Sequence, residues 1–205
     1  RLAAHRCVRL AMASGLLGAL VGPLADAAQS DDAPSAAPPA QCLPTGDGYL
    51  KARLSGALAA EIDWGNDGTE CTGATRPDGG LRLRFSRYDA ASASQLVLVF
   101  GIAGLKEGEA AKSVPVNLTI IREGAGEFYG TQGDDKCALD EVRQIALVGP
   151  PFRTRRYRVV ARGYCTEPAR AVQGKGAVLL SRFDFAGIVA FDDEDPSTDP
   201  TPSQQ

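Results

Sequence analysis

Two groups of side chains in this sequence have the types and spacing for chemistry: carboxylates beside the single tryptophan, and a set of arginines. The first lies in the run EIDWGNDGTECTG, residues 61–73. Glu61 and Asp63 fall on one face if the segment is extended, and glycoside hydrolysis needs two carboxylates at a set distance and no histidine. Asp63, Asn66, Asp67 and Glu70 are oxygen donors of the kind Ca2+ takes. As an EF-hand loop starting at Asp63 the run fails, because the third position is Gly65 and the twelfth is Ala74. Asn66-Asp67-Gly68 is a good turn without any metal, since Asn and Gly tolerate positive φ. Trp64 sits on the apolar parity of its strand and reads as a core-edge residue before it reads as a sugar-stacking platform. Asp134 and Asp135 raise the same calcium question on the same grounds.

The arginines pose a different question. Arg82 and Arg84 point outward from one strand, and Arg156, Arg158 and Arg162 from another, with Arg153 and Arg155 at its mouth. Sharing a sheet, they would form a basic face on a protein whose net charge is -3. Like charges side by side destabilise a sheet unless something neutralises them. The neutraliser is either a ligand met by arginine's bidentate fork (an anionic glycan, a lipid head group or an acidic envelope protein) or carboxylates such as Glu61 and Asp63 on neighbouring strands.

Composition removes other chemistries. Arg1, Arg6 and Arg9, an apolar run from Leu10 to Leu24, and Ala25-Asp26-Ala27 read as a signal peptide over residues 1–27. The apolar run is short of the ~20 residues that span a bilayer, so no membrane span is expected after cleavage. Cleavage removes His5 and Met12, the chain's one histidine and one methionine. The exported chain then has no Ser-His-Asp or Cys-His apparatus and no histidine-containing metal site. There is no Ser-x-x-Lys, no Gly-x-Ser-x-Gly and no phosphate loop. Mild acidity argues against a nucleic-acid partner.

Cys42, Cys71, Cys137 and Cys165 remain, an even count that suits two disulfides in an oxidising compartment, periplasmic or secreted. Cys137 and Cys165 are equidistant from Pro151 in VGPPFRT, so a hairpin there sets them opposite each other. Cys42–Cys71 follows by elimination and requires the chain between them to bend. A four-cysteine zinc site is the alternative, but no Cys-x-x-Cys spacing supports it.

The elements that must position these residues are strands. Residues 28–41 form a Pro/Ala/Ser tether and 192–205 an acidic, Pro-rich tail, leaving a domain over 42–191. Leu50 to Trp64 alternates as one long strand, kinked at Gly56. Further strands are expected at GLRLRF, QLVLVFGI (central, apolar on both faces), VPVNLTIIR, EFYGTQ, CALDEVRQIAL with a bulge near Asp140-Glu141, RYRVVARGYC and VLLSRFDFAGIVAF. The last puts Leu179, Phe183, Phe185, Gly187, Val189 and Phe191 on one side. DAASASQ and EPARAV each have room for one helical turn. Eight or nine strands predict an all-β fold, an antiparallel β-sandwich of jelly-roll or immunoglobulin-like arrangement. Asn117-Leu118-Thr119 matches a glycosylation sequon but lies inside a strand.

The runs CTGATRPDGGLRLRF, PVNLTIIR, FYGTQGDDKCALDEV and RGYCTEPARAV resemble exported bacterial proteins of unknown function with two cysteine pairs. The resemblance implies export and an all-β fold. It implies no activity and carries over no functional residue. The expected role is a non-enzymatic binding module of the cell envelope; the alternatives are a carboxylate-dependent glycan hydrolase and a calcium-stiffened structural module.

Overall fold

The computed structural model describes residues 40–90, 92–149 and 154–192. The signal segment, residues 28–39 of the tether, Pro151, Arg153 and the tail beyond Asp192 lie outside the described residues.

The described chain is all-β. Its eleven strands are β1 (Tyr49–Gly56), β2 (Ala60–Trp64), β3 (Glu70–Thr75), β4 (Leu81–Asp89), β5 (Ser94–Ile102), β6 (Ala111–Glu123), β7 (Glu127–Gly130), β8 (Cys137–Ala146), β9 (Thr154–Cys165), β10 (Ala169–Ala171) and β11 (Ala177–Asp192). Eleven strands are present where alternation predicts eight or nine; β2, β3 and β10 are absent as separate strands from the eight segments read from the sequence.

The expected long strand from Leu50 to Trp64 is a hairpin. Leu50 pairs with Trp64 and Leu54 with Ala60. Gly56 takes φ +104, and a Cβ there would strike the carbonyl oxygen of Ala177, so only glycine turns the chain at this point. EPARAV is not helical either: Ala169–Ala171 is β10, held between β7 and β11. Among the described residues there is no helix.

All ladders are antiparallel except one contact, Ala190 of β11 with Ala74 of β3. That contact matters for the whole shape. It joins β3–β4–β5–β6 to β11, while β6 continues through β8 and β9 back to β11. The hydrogen-bonded path therefore returns on itself, and one sheet supplies two facing layers.

Alternation explains what fills the space between them. Leu81, Leu83 and Phe85 on β4, Leu98, Phe100 and Ile102 on β5, and Val116, Leu118 and Ile120 on β6 are buried. Opposite stand Leu50, Ala52 and Leu54 of β1 and Phe183, Phe185 and Val189 of β11. Phe100 packs 4.9 Å from both Phe183 and Phe185, centroid to centroid, and Phe85 lies 5.1 Å from Phe185. Such pairs add about 1 kcal/mol each beyond the area they bury. β5 is buried on both faces from Val97 to Ile102, as its unbroken apolar run predicts.

Two irregularities adjust the pattern. The β8–β9 register shifts between Leu139 and Glu141, at the expected bulge. A second shift falls at Ser181, between the pairs Leu54–Leu180 and Arg53–Arg182. It moves the early part of β11 by one position, so Val178 and Leu180 are buried and Leu179 is only partly so, correcting the expected inward set.

Both disulfides form as expected, Cys137–Cys165 and Cys42–Cys71. Cys137 stands directly opposite Cys165 at the far end of the β8–β9 ladder. The bend that Cys42–Cys71 requires is the β1–β2 hairpin itself. Disulfides fit an oxidising, extracytoplasmic setting. Among the described residues no helix is long and apolar enough to cross a membrane.

Candidate functional site

The outer faces of β1, β2, β8, β9 and β11 carry their charges in rows, because paired residues of neighbouring strands point the same way. One row runs Asp63, Lys51, Asp184, Arg162, Glu141 across five strands, alternating in sign throughout. Lys51 lies 3.7 Å from Asp63 and Arg162 3.5 Å from Glu141. The next row sets Glu61 2.8 Å from Arg53, with Arg182 beyond. A shallow groove of about 590 Å³ crosses both rows, bordered by Lys51, Arg53, Glu61, Arg162, Arg182 and Asp184.

Tyr49 of β1 donates its phenolic proton to Asp184 over 2.7 Å. Partial burial, and then this bond to a carboxylate, push the phenol up to about 12. Sequence reading missed Tyr49, Asp184 and Asp47 as members of the network. The signal for Asp184 was present, since it occupies an outward position between the inward Phe183 and Phe185.

The five expected arginines fall into two groups. Three are neutralised within the fold. Arg84 reaches Glu70 at 3.8 Å and Glu123 at 3.6 Å, and also bonds Ser86. Arg162 has Glu141 and faces Asp184. Arg158 is mostly buried, its Nε 2.8 Å from Asp47 Oδ2, an ion pair angled too poorly to count as a hydrogen bond. Arg155, at the strand's mouth, forks onto Glu107 at 2.7 and 3.0 Å and holds that carboxyl below its usual range. The other two, Arg82 and Arg156, are exposed, and neither has a carboxylate within 4.0 Å among the described residues.

The β3–β11 contact brings these two onto one line. Arg156 pairs with Ala190, Ala190 with Ala74, and Ala74 with Arg82. Three strand spacings separate the two arginines, about 14 Å along the sheet. Only alanine methyls lie between them. The row continues through Gly101 to Asn117. Asn117 does not offer its amide as a sequon would: it is partly buried in β6 and donates Nδ2 to Asp134 at 2.8 Å.

The oxygen donors of the opening stretch are dispersed. Asn66 Oδ1 accepts the backbone N–H groups of Leu43 and Gly48 at 2.8 and 3.1 Å, acting as a clamp on the chain entering β1. Asp67 meets Gln41, Asp63 meets Lys51, and Glu70 faces Ser86, Arg84 and Gln95. Asp134 accepts from Asn117 while Asp135 pairs with Lys136 at 3.0 Å. Among the described residues no three His, Cys, Asp or Glu side chains gather as a metal site would require.

Glu61 and Asp63 share the outer face of β2, with side chains 67% and 75% exposed and each set beside a cation. Trp64 is half-buried and packs against the core.

Comparison with known proteins returns no matching family model, no matching curated protein and no matching solved structure.

Proposed function

We propose that this is an exported, non-enzymatic binding module of the cell envelope, and that it takes an anionic polysaccharide along the row Arg156–Ala190–Ala74–Arg82. One observation carries the reading. Of the arginines expected to form a basic face, the two without a carboxylate partner among the described residues are the two that the β3–β11 contact places on one line. Two exposed guanidiniums with alanine between them suit an extended polymer bearing carboxylates or sulfates, which each arginine can grip with two parallel N–H donors. The signal-like segment at 1–27 and the two disulfides agree with the compartment in which such a polymer is met.

The test is binding of heparin, a sulfated polysaccharide, to the full chain, with neutral dextran beside it. Heparin binds, and binding weakens steeply between 50 and 500 mM salt, roughly as counterion release demands. Dextran does not bind. The double substitution Arg82→Gln with Arg156→Gln weakens heparin binding by about tenfold, two exposed charge contacts of under about 1 kcal/mol each. Unchanged affinity in that double variant would remove the proposal.

A further inference from the structure

A second recess, of about 610 Å³, opens where the β1–β2 hairpin parts from the ends of β4, β5 and β6. Its walls are made by continuing the inward alternation of the core past the last apolar layer. On β4, Leu81, Leu83 and Phe85 are followed inward by Arg87; on β6, Val116, Leu118 and Ile120 are followed by Arg122. Leu96 of β5 stands between the two, paired with each. Across the recess the hairpin contributes buried Leu58 and Ile62 and half-buried Trp64.

Guanidinium groups at core-facing positions are costly unless compensated. Arg122 has a partner, Glu127 at 3.3 Å. Arg87, partly buried, has no carboxylate within 4.0 Å among the described residues. The acids at the rim are committed elsewhere: Glu61 to Arg53, Asp63 to Lys51, and Asp89 to the hydroxyl of Ser92. The recess thus joins an apolar wall to one uncompensated cation, in a volume within the ordinary range of small-molecule sites.

We infer that this recess binds an amphipathic monoanion, an apolar chain or ring ending in one carboxylate. The apolar body lies against Trp64, Ile62 and Leu96, and the carboxylate takes the fork of Arg87. This site is separate from the outer arginine row, and either can fail without the other.

Trp64 is the chain's one tryptophan, so its emission reports on the recess alone. The full chain is titrated with octanoate and, in parallel, with octanol. Octanoate shifts Trp64 emission saturably, and octanol needs at least ten times the concentration for the same change. Arg87→Gln weakens octanoate about tenfold and leaves octanol where it was, while Arg156→Gln changes neither. The inference is overturned if octanoate produces no saturable shift, or if octanol matches it in the unsubstituted chain. The octanoate–octanol comparison needs no variant, so a folding defect in Arg87→Gln does not blunt it.

Discussion

Tyr49 and Asp184, 135 positions apart in sequence, are joined by a 2.7 Å hydrogen bond on the outer face of the sheet, with the phenol as donor. The bond exists only while Tyr49 is protonated. Its phenol titrates near 12 in the folded chain against an ordinary value of 10.0. The folded state therefore holds this proton more tightly than the unfolded state does. The stabilisation is complete below pH 10 and is lost as pH rises from there through about 12. Solvent contact at the ring screens the effect to about 1 kcal/mol. Thermal melts at pH 9 and pH 11.5 are expected to separate further for the unsubstituted chain than for Tyr49→Phe. Equal separation would show that the bond does not contribute.

Gly187 sits under the ring of Phe85, where a Cβ would come within 2.6 Å. Phe85 is itself locked against Phe100 and Phe185 and has no room to retreat. Gly187→Ala should therefore cost about 1–3 kcal/mol, as overpacked cores do. Gly73→Ala, which drives a methyl into the carbonyl oxygen of Ile188, should be at least as costly and should also part β3 from β11. Urea denaturation of both variants measures this. A change under about 0.5 kcal/mol in either would contradict the packing described.

Replacing Cys137 and Cys165 by alanine opens a loop of 28 residues. Chain entropy alone puts the loss at about 3–4 kcal/mol. A non-reducing peptide map of the native chain should join Cys137 to Cys165 and Cys42 to Cys71, and no other way.

Glu61→Gln and Asp63→Asn remove exposed partners of Arg53 and Lys51. Each should change stability by less than about 1 kcal/mol, and 0.5 M salt should erase most of the difference. A larger loss that survives salt would mean that these carboxylates have a role beyond the sheet face, and would reopen hydrolysis as a reading.

Period two made the strands legible, and it also concealed the first turn. In the β1–β2 hairpin Leu50 pairs with Trp64, Ala52 with Ile62 and Leu54 with Ala60, so even positions face even positions. A straight strand gives the same alternation, which is why the burial of Leu50, Ala52, Leu54 and Ile62 was readable and the reversal at Gly56 was not. β3, with the sequence ECTGAT, has no apolar alternation to read, and β10 is three residues long. The arginine row depends on β3 meeting β11 at a single pair, a long-range contact with no local signature. Arg87 and Arg122 were legible in principle. Each occupies a position that its strand's own alternation assigns to the interior, and a cation there signals the end of the core or a site.

The return of the sheet onto itself has a consequence for how copies of this chain meet one another. An open sheet offers unpaired N–H and C=O groups along its outermost strands, a template for joining further chains into aggregates. Among the described residues β7 and β10 are paired on both sides, and β2 is the one strand with a partner on a single side. The strand order ends at β2, five residues long, with Glu61 and Asp63 on its outer face. A short, charged border of this kind discourages pairing with a further strand. The fold limits self-association through the closure of its hydrogen-bonded path and through the short, charged strand at its one border.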